Sequence, residues 1–191
     1  MPDHPRRHLT EPSSPDLLYD RAVKTQLFLP EPDRLVAEAS LLDDTYGPGG
    51  FQTIHHMTLR MDVALPEAEI TAVDAGMLSH PHGWCPATTD HVQQLVGLRI
   101  AAGYFRELSS RLGGDRSCNH LLTLAQTIGT VVALSYAARM SLLEPALASL
   151  PDDDYFKRVV AEHENVVGSC YVWRDGGPLV TDLGVPKGRN G

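Results

Sequence analysis

The sequence predicts an α+β fold, with an antiparallel sheet built by the N-terminal half and the helices of the C-terminal half packed on one face. Three observations carry this expectation. Residues 55–63 alternate between two faces with period two. Residues 98–112 place apolar side chains at helical spacing. The strand-like patterns all precede the helix-like ones, an order that segregates helices to one side of a sheet.

Taken in order, residues 1–16 hold four prolines and little apolar content, and are expected to form a disordered arm. A single domain is expected over 17–185, followed by a disordered tail over 186–191. Thr25–Leu29 is a short candidate strand. Arg34–Asp43 fits strand or helix, because Leu35, Val36, Ala39 and Leu42 also suit a helical spacing. The run Tyr46-Gly-Pro-Gly-Gly50 breaks it. In the next strand His55, Met57, Leu59, Met61 and Val63 share one face, and His56, Thr58, Arg60 and Asp62 the other. Leu65-Pro66-Glu67 turns the chain, and Glu69–Leu78 returns as its partner. Asp90 and Gln93 resemble a capping box. The helix they open would bury Leu98, Ala101, Ala102, Phe105, Leu108 and Leu112, with Glu107 and Arg111 paired outside. Gly113-Gly114 stops it. Asp115 or Ser117 would cap a long helix from about Cys118 to Leu143. Pro151 and three aspartates predict another helix start, with Phe156, Val159, Val160 and His163 inward. A last strand is expected over Ser169–Trp173, then a turn at Asp175-Gly176-Gly177.

Composition narrows the function. The chain has 191 residues, 42% hydrophobic and 21% charged, enough for a real core. Its net charge is -8 and aromatics are 6%, with no basic cluster beyond Arg6-Arg7, so nucleic acid is not an expected partner. Residues 117–138 carry no charged side chain but do carry His120, Gln126, Ser135 and several threonines, which predicts a buried helix and no membrane partner. No apolar leader opens the sequence and three cysteines cannot all pair, so a cytoplasmic protein with free thiols or metal ligands is expected. A homo-oligomer is left open. No P-loop, dinucleotide fingerprint or serine-hydrolase elbow is present, and the glycines at 47–50 lack the lysine of a phosphate cradle.

Metal-ligand residue types are few. His55 stands on the apolar face of the clearest strand, where a hydrogen-bonded core histidine is the bland alternative. Cys85 ends a loop that also holds His80 and His82, whose roles the sequence does not assign. Cys118 and His120 open the longest predicted helix. A cysteine there meets the positive end of the helix, which favours its thiolate. In a half-formed first turn the two side chains can aim at one point.

The segment Gly113-Gly-Asp-Arg-Ser-Cys-Asn-His-Leu121 resembles the Gly-Gly-x-x-Gly-Cys-Thr-His-Leu signature of an uncharacterised bacterial family known only as a domain of unknown function. Glu38–Asp43, His55–Arg60, Cys85, Leu95-Val96-Gly97 and Gly103 are similar to further pieces of it, so the likeness spans roughly residues 20–175. It departs at Ser117 and Asn119, where the family has Gly and Thr. The resemblance implies that His55, Cys85, Cys118 and His120 are the functional set.

Two sulfurs and two imidazoles suit a divalent metal, zinc first and iron second. The leading expectation is a metal-dependent enzyme of hydrolase or lyase type acting on a small organic substrate, a carboxylate or a carbonyl compound. Glu38, Asp43 or Asp74 would move protons. Asp74 shares the spacing of Ile70 and Ala72 and so is expected on a buried face. Arg60 would hold a substrate carboxylate. Two alternatives stand beside this. One is a non-enzymatic binding or interaction module with a closed Cys2His2 zinc site. The other is an enzyme using Cys118 as nucleophile with His120 or His55 as base.

Overall fold

The computed structural model describes residues 17–162, 167 and 170–184. The expected arm and tail, together with His163 and Ser169, lie outside them. Contacts divide the chain into two compact units, residues 1–133 and 134–191.

The first unit opens with a four-stranded antiparallel meander in the order β1 (Tyr19–Glu31), β2 (Arg34–Gly47), β3 (Gly50–Ala64) and β4 (Glu69–Ser79). The ambiguous stretch at Arg34 is therefore strand. Its odd-numbered residues Leu35, Ala37, Ala39 and Leu41 are buried, and so are Met57, Leu59, Met61 and Val63 on β3. Two apolar rows on neighbouring strands bury more area as a sheet face than one row on a helix would. The β2–β3 hairpin turns at Gly47–Gly50, and Gly50 takes a φ of 93°, which a side chain would disfavour.

Helices of the same unit cover that face. Val92 and Leu95 from a 3-10 segment (Cys85–Leu95), Leu108 and Leu112 from α1 (Tyr104–Leu112), and Leu121, Leu124 and Ile128 from α2 (Asn119–Leu134) join the sheet residues in one core. The expected capping box does not form, because Gln93 instead donates its amide to the Val73 carbonyl at 2.7 Å. The α-helix expected to open at Asp90 begins only at Tyr104, and Ala101 and Ala102, expected inside, are exposed. Gly97 and Gly103 sit at φ of 81° and 89°, left-handed values that end helical propagation, and along the outer edge of β4 Ile70 donates its backbone N–H to the Leu98 carbonyl and accepts from that of Gly97. Consequently Phe105 is exposed while Tyr104 is buried, its hydroxyl donating to the Ala125 carbonyl. Arg111 donates to the Gln94 carbonyl, which replaces the expected pairing with Glu107.

The predicted long helix is interrupted at Ser135 into α2 and α3 (Tyr136–Leu143). The second unit holds α3, α4 (Asp152–Glu162) and α5 (Pro178–Asp182). Met140, Leu147 and Val159 form one small cluster, and Val160, Val167 and Val180 another, with Trp173 packed on the latter. Three aspartates occupy the first turn of α4, where the helix dipole favours them. Residues 170–174 are bends and not the expected strand, whereas the turn at Asp175-Gly176 is present.

Candidate metal centre

Asp43 closes the buried row of β2. It follows Leu35, Ala37, Ala39 and Leu41 on the inner face and is itself fully buried. The register places Arg21 of β1 on one side of it and His55 of β3 on the other. Two bulges flank this row. One leaves Ile54 unpaired between the Asp43–His55 and Asp44–Thr53 pairs, and the other leaves Leu78 unpaired between the His56–Ser79 and Met57–Met77 pairs. Bulges re-aim side chains at the ends of sheets, and here Asp44 is buried as well, accepting the Thr53 hydroxyl at 2.7 Å.

The fourth member comes from α2. Ser117 is extended, so the helix starts with the Cys118 carbonyl accepting from Leu122. Neither expected cap acts. Asp115 lies in a 3-10 turn, and the Ser117 hydroxyl is buried without a partner. His120, the second helical residue, is thereby set against the sheet, its ring centroid 4.0 Å from that of His55.

Arg21 grips Asp43 with two parallel bonds, Nε to Oδ1 at 2.6 Å and Nη2 to Oδ2 at 2.7 Å. His55 Nδ1 donates to Oδ2 at 2.9 Å, and His120 Nε2 lies 3.4 Å from the same oxygen. Burial alone would push the Asp43 carboxyl up. The Arg21 fork, with help from Tyr19 and His55, more than offsets this and holds it at about 2. Burial, with His55 and Arg21 beside it, lowers His120, so this imidazole is neutral at neutral pH.

The ligand atoms of Asp43, His55 and His120 all lie within 4.8 Å of one another, and among the described residues no other group of three His, Cys, Asp or Glu does so. For metal–ligand bonds of about 2.1 Å, neighbouring ligands stand about 3.0 Å apart in an octahedron and about 3.4 Å apart in a tetrahedron. The 3.4 Å between Oδ2 and His120 Nε2 falls in that range, while His55 Nδ1, 2.9 Å from Oδ2, would give up its hydrogen-bonded proton to the ion. Two imidazoles and a carboxylate suit zinc or iron, and three ligands leave a position open. The side chains of His55 and His120 are 15% and 22% exposed, so the cluster is reached from outside.

Of the residues singled out from sequence, His55 and His120 meet as neighbours, with Asp43 as the third corner. Cys118 Sγ lies 3.5 Å from His120 Nδ1, the ring nitrogen turned away from Asp43. Cys85 starts its 3-10 segment half-buried and outside the cluster. His80 donates to the His82 carbonyl within its own loop. Glu38, Arg60 and Asp74 stand in one cross-strand row on the opposite face of the sheet, where Arg60 is tied to Glu38. The expected burial of Asp74 is corrected by a bulge at Thr71. It pairs Ile70 with Val63 but Ala72 with Asp62, so Val73 turns inward and Asp74 outward. Arg21 and Tyr19 were not candidates. Their signal was positional, since only the β1–β2 register reveals that Arg21 faces Asp43.

The family described as Protein of unknown function (DUF2889) matches residues 19–134, more than half of the chain, and the chain belongs to this family. The match covers the whole sheet, α1 and α2, and therefore every residue of the cluster. No curated protein and no solved structure matches the chain. No helix among the described residues is long and apolar enough to cross a membrane.

Proposed function

We propose that the chain is a metal-dependent enzyme of hydrolase or lyase type, with Asp43, His55 and His120 as ligands of a divalent ion, zinc before iron. The convergence of these three donors from three different elements supports the reading. A bound ion would polarise a substrate oxygen or acidify a bound water. The protein's own groups have separate tasks. Arg21 keeps Asp43 ionised and fixes its carboxylate, as outer-shell partners of metal ligands do. A carboxyl held at about 2 is a weak base at neutral pH, so Asp43 serves as ligand and not as proton carrier. His120 is neutral, ready to donate a lone pair. A closed Cys2His2 site gains no support from a cluster in which neither thiol takes part.

Zinc titration of the chelator-treated protein by calorimetry tests this. The wild type should take up one ion, while Asp43→Asn, His55→Ala and His120→Ala should each lose it. Cys118→Ala and His56→Ala should keep it. Equal uptake by all six proteins would remove the proposal.

One observation favours a second reading. Cys118 Sγ, the His120 ring and Asp43 Oδ2 form a row in the order nucleophile, base and orienting carboxylate. Iodoacetamide would then inactivate the protein through Cys118 at a rate indifferent to chelator.

A further inference from the structure

Arg21 spends only part of its guanidinium on Asp43. Nε and Nη2 bind the carboxylate, Nη2 also approaches the Tyr19 hydroxyl at 3.4 Å, and Nη1 has no hydrogen-bond partner among the described residues. The side chain is 40% exposed at the margin of the cluster. Towards the hairpin tip, beyond the row Asp20, Asp44 and Thr53, the cross-strand row on β1, β2 and β3 is Tyr19, Thr45 and Gln52. All three line an open depression of about 620 Å³. Two strand residues, roughly 7 Å, separate this row from Arg21 and Asp43.

We infer that this margin binds a small aromatic carboxylate, its carboxylate on Arg21 Nη1 and its ring over Tyr19 in the depression. The inference rests on reading the Asp43 cluster as the reacting centre, and it names the substrate class of that site. A guanidinium presents donors in a plane that matches a carboxylate. The Arg21 guanidinium reaches the Tyr19 hydroxyl at 3.4 Å, so a carboxylate held by it and a ring over Tyr19 can belong to one small molecule. The exposed Tyr19 ring offers an aromatic surface for it. Arg60, the cation expected for this task, is on the far face and tied to Glu38.

Benzoate, benzamide, acetate and inorganic phosphate are titrated into the full chain, with zinc and separately with EDTA. Benzoate should bind about tenfold or more tighter than benzamide, which lacks the charge, and than acetate, which lacks the ring. It should persist, weakened, in EDTA. Arg21→Lys should weaken benzoate and Arg60→Ala should not. Tyr19→Ala should erase the advantage of benzoate over acetate, which keeps the test usable if Arg21→Lys fails to fold. Equal binding of benzoate and benzamide, or tighter binding of phosphate than of benzoate, overturns the inference. Zinc uptake measured on the same protein separates the two claims. Zinc without benzoate overturns this one alone, and benzoate without zinc overturns the metal reading alone.

Discussion

Asp43 concentrates the chemistry at the residue scale. A fully buried carboxylate is tolerable only because a guanidinium grips both its oxygens. Removing its charge leaves Arg21 unpaired beside the core, so Asp43→Asn should cost about 2–4 kcal/mol in urea unfolding, as breaking buried pairs does. The pH dependence has a definite sign. The folded value, about 2, lies below the ordinary 3.8, so the unfolded chain binds the proton more readily. The stabilisation is complete above about pH 4 and is lost as pH falls through about 2. It amounts to about 2 kcal/mol. His120 is lowered too, so its contribution acts in the same direction, declining as pH drops below the ordinary histidine value. Urea midpoints from pH 2 to pH 5 should fall with acid in the wild type and be flatter over that window in Asp43→Asn. Parallel curves would show that Asp43 is not held as described.

At the scale of elements, close packing between α1 and α2 fixes where the second histidine lands. A Cβ at Gly129 would come within 2.2 Å of the Tyr104 ring. Gly129→Ala should therefore destabilise by about 1–3 kcal/mol, read as a lower urea midpoint, although alanine is the better helix former. An unchanged or raised midpoint would mean that α2 is free to shift. The sheet was legible in the sequence because alternation over residues 55–63 and a glycine-rich turn define a hairpin whose apolar rows must face each other. Asp43 was legible only as one of three acids that could move protons, because Arg34–Asp43 suits strand and helix alike, and the row Leu35, Ala37, Ala39, Leu41 that it ends emerges only once β2 pairs. Its partner was not legible, because the unpaired Ile54 shifts the register by one residue. The bulge at Thr71 hid the outward turn of Asp74 in the same way. Periodicity counts residues evenly, and a bulge breaks the count without leaving a mark in composition.

Across the whole molecule, the α+β class followed from the order of patterns, whereas the start of α1 and the interruption at Ser135 did not. The helical stripe from Leu98 was real as a list of apolar residues. Left-handed glycines at 97 and 103 divided it between an edge pairing and a shorter helix. Function follows the same division. His55 and His120 were recognisable singly as ligand types, but which donors meet depends on three strands and a helix start. An ion that binds only the folded chain stabilises it by mass action, about 2.7 kcal/mol at a free concentration one hundred times its dissociation constant. Zinc should thus raise the melting temperature of the wild type, EDTA should reverse the gain, and His120→Ala should show neither. A zinc-induced rise of equal size in His120→Ala would place the ion elsewhere.

The most direct measurement is the X-ray absorption spectrum of the zinc-loaded protein at the metal edge. The expected spectrum has a first shell of nitrogen and oxygen alone at about 2.0–2.2 Å, with the outer-shell scattering of two imidazoles and no sulfur. A sulfur shell at about 2.3 Å would contradict it, because the ion would then sit on Cys118 or Cys85 and not among Asp43, His55 and His120.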